Sequence, residues 1–185
     1  MIPIRYCFLR YCFLRYRFLR YCFLVALLLA FPTATWSTDT PFPPPRGDVL
    51  LEVAGDIALT NLGDEAHLDA QMLNALPRER LTTHTSVTDG RQTFEGFLVR
   101  DLLDALAADG ETVTALALND YRVEIPIEDF RRYDVLLADT MNEQRLTRRD
   151  KGPLWIVYPR DDHLELQDIR YDYRWVWQLH RLEID

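Results

Sequence analysis

Beyond Cys22 the chain contains no cysteine: all three, Cys7, Cys12 and Cys22, fall in the repeat RYCFLRYCFLRYRFLRYCFL of residues 5–24. Disulfides, thiolate metal sites and cysteine nucleophiles are therefore excluded from everything that follows it. Serine is nearly as scarce. Ser37 and Ser86 are the only two, and neither sits in a Gly-x-Ser-x-Gly turn, which argues against a serine triad. A long apolar run is also missing: CFLVALLLAF, Cys22 to Phe31, has ten residues and is preceded by Arg17 and Arg20. That is about half of what a roughly 30 Å hydrocarbon layer requires, so no stable membrane anchor is expected. Basic residues without acids among them are confined to the start of the chain. Residues 1–34 hold five arginines and no acid, leaving 16 of the 21 basic residues against all 29 acidic ones, a net of −13. A nucleic-acid partner needs a basic patch, and none is expected in such a chain.

What the first 34 residues do contain is an order: basic, apolar, then small at Thr33, Ala34 and Thr35. This is the pattern of a secretory signal peptide, with Ala34 and Ser37 as alternative boundaries for cleavage, and it predicts a periplasmic or secreted protein. The Arg-Tyr-Cys-Phe-Leu period does not match a zinc site, because the cysteine spacings are irregular for one and no histidine lies nearby. Residues 35–47 include TDTPFPPPR, an extended proline-rich lead, and Arg46-Gly47-Asp48 reads as a chance integrin tripeptide. A domain is expected over residues 48–185, long enough to bury a core without staples.

Within it, Val49–Ile57 alternates as a strand, and Asp69 is placed to cap a short helix, AQMLNAL, before Pro77. Arg80–Val87 reads as a threonine-rich strand closed by the turn Thr88-Asp89-Gly90. Phe97–Ala108 aligns Leu98, Leu102, Leu103 and Leu106 on one helical face. Thr112–Leu118 and Tyr121–Ile127 flank the turn pair Asn119-Asp120, and Asp134–Met141, Pro153–Tyr158 and Trp175–Ile184 supply further strands. One main helix, minor ones and about seven strands predict an α+β domain with a mixed or largely antiparallel sheet.

Four segments in order resemble the molybdopterin-binding domain of the sulfite oxidase type. FEGFLVRDLL, Phe94 to Leu103, is similar to that family's W-x-G-x-x-L-R-D-L-L, and ALNDYRVEIPIED, Ala117 to Asp129, to its D-G-Y-x-x-x-I-P-L-E. MNEQRLTRRDKGPLWIVYP, Met141 to Pro159, is similar to M-N-G-x-P-L followed by G-G-P-L-R-L-V-V-P, and RWVWQLHRLEI, Arg174 to Ile184, to K-S-x-K-W-x-x-x-I-E-V. The resemblance implies the sulfite-oxidase-type fold and molybdopterin as cofactor. In that family a cysteine ahead of the glycine matched by Gly96 supplies a thiolate to molybdenum, and counting back here lands on Thr83 or His84. Neither is a thiolate, which puts molybdenum ligation in doubt and leaves no residue expected to hold a metal. For the cofactor's phosphate the matched segments offer Arg174, at the place of the first lysine of K-S-x-K, with Arg100, Lys151 and His84, while Trp177 stands at the second lysine.

Asp161-Asp162-His163 has the composition of a metal loop but reads first as a solvated one. Tyr171, Tyr173, Trp175 and Trp177 are expected to alternate on a strand, as core or as a stacking face. Two functions fit these residues. One is an exported binding or sensory module, degenerate at the metal ligand, that takes a small-molecule ligand or signals to a membrane sensor protein. The other is a periplasmic molybdopterin-dependent oxidoreductase with an atypical centre at Thr83 or His84, its substrate entering near Asp89 and Tyr121.

Overall fold

The chain after the proline-rich lead alternates short strands with still shorter helices, and a computed structural model describes residues 43–185. The expected signal segment and most of the lead lie outside the described residues. Ten strands form one sheet: β1 (Val49–Gly55), β2 (Ala66–Asp69), β3 (Arg78–His84), β4 (Arg91–Leu98), β5 (Thr112–Ala117), β6 (Arg122–Pro126), β7 (Leu136–Met141), β8 (Gln144–Arg145), β9 (Leu154–Val157) and β10 (Trp177–Ile184). Its main path runs β2-β1-β10-β9-β7-β4-β3, with β5 and β6 attached through β10 and β8 through β7. Among the described residues only β1 and β10 pair in parallel; the other pairs are antiparallel. The expected α+β class and mixed sheet are what the structure has, with more strands than the seven read from sequence.

Hydrophobic pattern explains which strands are central. All of Leu154–Val157 and Leu136–Thr140 is buried, so β9 and β7 are covered on both faces, whereas β3 alternates exposed residues around Thr83 and forms an edge. Trp155 is the hub. Phe94 meets it edge-on at 5.3 Å between ring centroids, and Trp175 and Trp177 each stand 6.4 Å away. Burying rings and aliphatic side chains of this size contributes about 1.5–3 kcal/mol each.

Four helices are short: α1 (Ala70–Leu73), α2 (Val99–Ala105), α3 (Ile127–Arg132) and α4 (Ile169–Asp172). Asp69 caps α1 as expected, its carboxylate accepting from Met72 N, while its other oxygen holds the backbone N–H groups of Arg46 and Gly47. The Arg-Gly-Asp tripeptide is thus tied to the fold through its own amides. The turn at Asn119-Asp120 also forms: Asp120 adopts φ 64° and the Asn119 side chain accepts from Tyr121 N.

Two expectations need correction. Phe97 and Leu98 end β4 rather than open a helix, because Gly96–Leu98 pair with Leu136–Ala138 across a bulge after Glu95 and Val99 N donates to Val135 O. The helix keeps only Val99–Ala105, with Leu102, Leu103 and Leu106 buried as the stripe requires. Nor is Tyr171–Trp177 one alternating strand. Asp168 caps α4 there, accepting from Arg170 N, so Tyr171 is helical, Trp175 is buried and only Trp177 begins β10. No helix among the described residues is long and apolar enough to cross a membrane.

The β1, β2 and β10 edge is closed by Arg181, which donates to Glu65 at 2.8 Å, Glu52 at 3.0 Å and Glu183 at 3.1 Å. Hydrogen bonds from Arg181 and then His67 lower the Glu65 carboxyl from 4.5 to about 2. The folded value lies below the unfolded one, so this contribution is complete above pH 4.5 and is lost as pH falls toward 2. A Glu65→Gln variant is expected to lose roughly 1 kcal/mol at neutral pH, as half-exposed ion pairs do. It should also show a shallower fall in urea midpoint between pH 5 and 2. Equal acid slopes for the two proteins would contradict the assignment.

Candidate functional site

The six candidate residues fall into two groups, because the strand order places β9, β7 and β4 between β10 and β3. Thr83, His84 and Arg100 lie toward the β3 edge. Tyr121, Lys151 and Arg174 lie around the start of β10.

At the β3 edge the loop after β9 crosses to the end of the strand. Thr83 is fully buried, its hydroxyl accepting from Asp161 N at 3.2 Å and donating to His84 O at 3.3 Å. His84 faces outward, and its Nδ1 lies 3.0 Å from both Asp161 oxygens. Arg91, paired with His84 across β3 and β4, reaches the same carboxylate at 3.0 Å. Burial pushes the Asp161 carboxyl up, but the hydrogen bonds from His84 and the charges of His84 and Arg91 outweigh it and hold it below its ordinary value. Asp161 therefore belongs to a charged latch rather than to a free metal loop. Its neighbour His163 packs its ring edge-on against Tyr133 at 4.9 Å. Beside the latch a cleft of about 250 Å³ is lined by Arg80, Leu81, Arg100, Asp134, Pro159 and Asp162. Arg100 is ion-paired there with Asp134.

At the start of β10 the Asp129 carboxylate, buried in α3, accepts from Tyr158 Oη at 2.9 Å and from Arg174. Burial opposes the Arg174 charge, and Asp129 more than restores it; burial also raises the Tyr158 hydroxyl well above its usual range. The Arg174 guanidinium lies 4.7 Å from the Tyr171 ring. Lys151 contacts Asp150 at 3.3 Å and lies 5.6 Å from the Trp155 ring, while its carbonyl holds Gln178 N. Tyr121 Oη donates to Tyr173 O at 2.9 Å, closing one wall of a second cleft, of about 230 Å³, formed with Asn119, Asp172, Trp175 and Trp177.

Three carboxylates that organise these surroundings were not singled out as site residues by sequence reasoning: Asp129, Asp139 and, as a partner of His84, Asp161. Asp139 is buried yet accepts from Arg78 at 2.9 and 3.0 Å and from Arg145 at 2.8 Å, linking β3, β7 and β8. Its partners lie 61 and 6 residues away in the chain, so no local spacing announces the cluster.

An open mixed sheet with a few short helices, carrying a latch at one strand end and an aromatic cleft at another, defines an α+β domain with its clefts at the strand ends. A model of the oxidoreductase molybdopterin binding domain family matches residues 65–161, more than half of the chain, and the protein belongs to that family. The match runs from the start of β2 to Asp161, taking in every candidate residue except Arg174. No curated protein matches the chain.

Proposed function

We propose that the protein is an exported binding or sensory module of this family that does not ligate molybdenum. The observation that carries the reading is at the end of β3. Thr83, one of two residues at the expected place of the thiolate, is buried with its hydroxyl bonded to Asp161 N, and the other, His84, is held by the Asp161 carboxylate. An alkoxide from threonine is inaccessible near neutral pH, and an imidazole held by a carboxylate that Arg91 also binds has a different charge and softness from a thiolate. No cysteine occurs in residues 43–185 to replace it.

The phosphate-binding side fits no better. Each cation proposed for it already has a carboxylate: Arg100 has Asp134, Lys151 has Asp150, and Arg174 has Asp129. A phosphate at Arg174 competes with the part-buried Asp129 carboxylate, which offsets much of the gain, whereas the pairs of Arg100 and Lys151 are more exposed and weaker competitors. The donor set thus does not suit a molybdenum-bearing pterin. The basic, apolar, small order of residues 1–34 supports export. A membrane sensor protein or a small molecule is the partner this reading calls for.

Protein exported from a host that synthesises the cofactor should contain no molybdenum by elemental analysis and no fluorescent oxidised pterin. About one molybdenum per chain would instead restore an oxidoreductase with an atypical centre.

A further inference from the structure

The second cleft has a composition that neither the family nor the latch explains. Four aromatic residues, Tyr121, Tyr173, Trp175 and Trp177, wall it, with Ala117, Asn119 and Asp172 completing the lining. No arginine, lysine or histidine lines it. The turn at Asn119-Asp120 supplies one side, and the other comes from residues 172–177, beyond the segment that the family model matches.

The rings are arranged around a gap. Trp175 and Trp177 rest on Trp155 behind them, and among the described residues no two of the four cleft rings pack on each other. Tyr121 and Tyr173 are joined through a hydroxyl and a carbonyl instead of by stacking. Three of the four stay open to solvent, Tyr121 at 42%, Tyr173 at 53% and Trp177 at 36% exposed, which leaves a large apolar area to be covered.

Charge decides what covers it. The aromatic cluster behind the cleft already carries cations on its other members, Lys151 by Trp155 and Arg174 by Tyr171, whereas none of the protein's own cations lies over the cleft rings among the described residues. Asp172 gives one oxygen to Arg160, and its second oxygen has no donor among the described residues. Rings free of the protein's own cations, in a chain segment of net −13 and with Asp172 shared with Arg160 at their edge, favour positive charge over phosphate. A strongly hydrated ammonium would have to shed water to enter; a methylated one sheds little. At about 230 Å³ the space is below the usual 300–1,000 Å³ of drug-sized ligands and suits a small one.

We propose that this cleft binds a small organic cation of the quaternary or methylated ammonium class. The proposal deepens the binding-module reading by naming what the module takes up. Its test is a titration of the purified full chain with choline and with 3,3-dimethyl-1-butanol, the neutral carbon analogue of the same shape, followed by tryptophan fluorescence and calorimetry. Choline should bind saturably and at least about tenfold more tightly than the neutral analogue, the ratio that one desolvated cation–π contact supplies. Tyr173→Ala, at the most exposed wall, should weaken choline about tenfold or more while leaving the urea midpoint near that of the parent, and Trp177→Lys, which puts a fixed positive charge at the rim, should weaken it as much while also losing the Trp177 contact with Trp155. Absence of saturable choline binding would overturn the proposal, and so would equal affinity for the two probes or an unchanged affinity in both variants. The metal analysis fails or succeeds separately: choline binding beside stoichiometric molybdenum would sink the module reading and keep this site, and the converse result would do the reverse.

Discussion

Gly96→Ala is expected to destabilise the domain by about 3 kcal/mol or more, the upper range for forcing extra volume into a packed interior. A methyl group at this position would stand 2.1 Å from Leu137 O and 2.8 Å from both Leu137 C and Ala138 Cα. All three are backbone atoms of β7, which β9 holds on its far side through pairs from Leu136↔Val157 to Ala138↔Trp155. Relief therefore requires the centre of the sheet to shift, and no side-chain rotamer can absorb the overlap. The bulge after Glu95 is part of the same feature: β4 approaches β7 this closely because position 96 has no side chain. Gly90→Ala is the control, since it has φ +67° but nothing within 4 Å of an added Cβ. It should cost only the roughly 1–2 kcal/mol of placing an L-residue in the left-handed region. Urea unfolding of the three proteins gives the comparison. A Gly96→Ala loss no larger than that of Gly90→Ala would mean that the sheet is softer here than its register implies.

The same glycine shows how far the sequence could be read. Its string, FEGFLVRDLL, places the segment within the family, yet the apolar period of Phe97, Leu98 and Leu102 suggested a helix that starts two residues early. Local period cannot distinguish the last turn of a buried strand from the first turn of a helix when both are apolar; the pairing of Leu98 with Leu136 decides it, and that pairing is remote in sequence. Helix α3 is not among the elements expected from the sequence although its signs are there: Pro126 before it, Glu128 and Asp129 in the first turn, Arg131 and Arg132 in the last. The turn at Asn119-Asp120 and the cap at Asp69 were legible because their chemistry is local.

The site was less legible for the same reason. Thr83 and His84 were found by counting along one strand, but what fixes their chemistry is Asp161, 77 residues on from His84. The sequence offers Arg174 as a donor for an anion, whereas its partner Asp129 lies 45 residues earlier, on helix α3. The aromatic residues were expected on one strand face. Helix α4 turns Tyr171 back toward Tyr133 and Tyr158 and leaves Tyr173, Trp175 and Trp177 to wall a cleft with Tyr121.

Arg174→Met is expected to lower stability by about 3 kcal/mol, the effect of leaving a buried carboxylate without its cation. Asp129 is 8% exposed, and after the substitution its named side-chain donor would be the Tyr158 hydroxyl alone. Methionine keeps much of the arginine stem's volume, and the loss of the guanidinium from the Tyr171 ring is a smaller part of the cost. Asp129→Asn should cost less, about 1–2 kcal/mol, because the amide oxygen can still accept from Tyr158 and Arg174 while only the charge is lost. Combining the two substitutions should then recover part of the sum, a coupling of roughly 2 kcal/mol in a double-mutant cycle read by urea unfolding. The outcome bears on function as well as on folding. A guanidinium so committed to Asp129 has little free energy left for an incoming phosphate, whereas a cost below about 1 kcal/mol and no coupling would show Arg174 to be an uncommitted donor. In that case the place of the family's first lysine would be open to an anion after all, and the charge argument against the pterin phosphate would lose its strongest member.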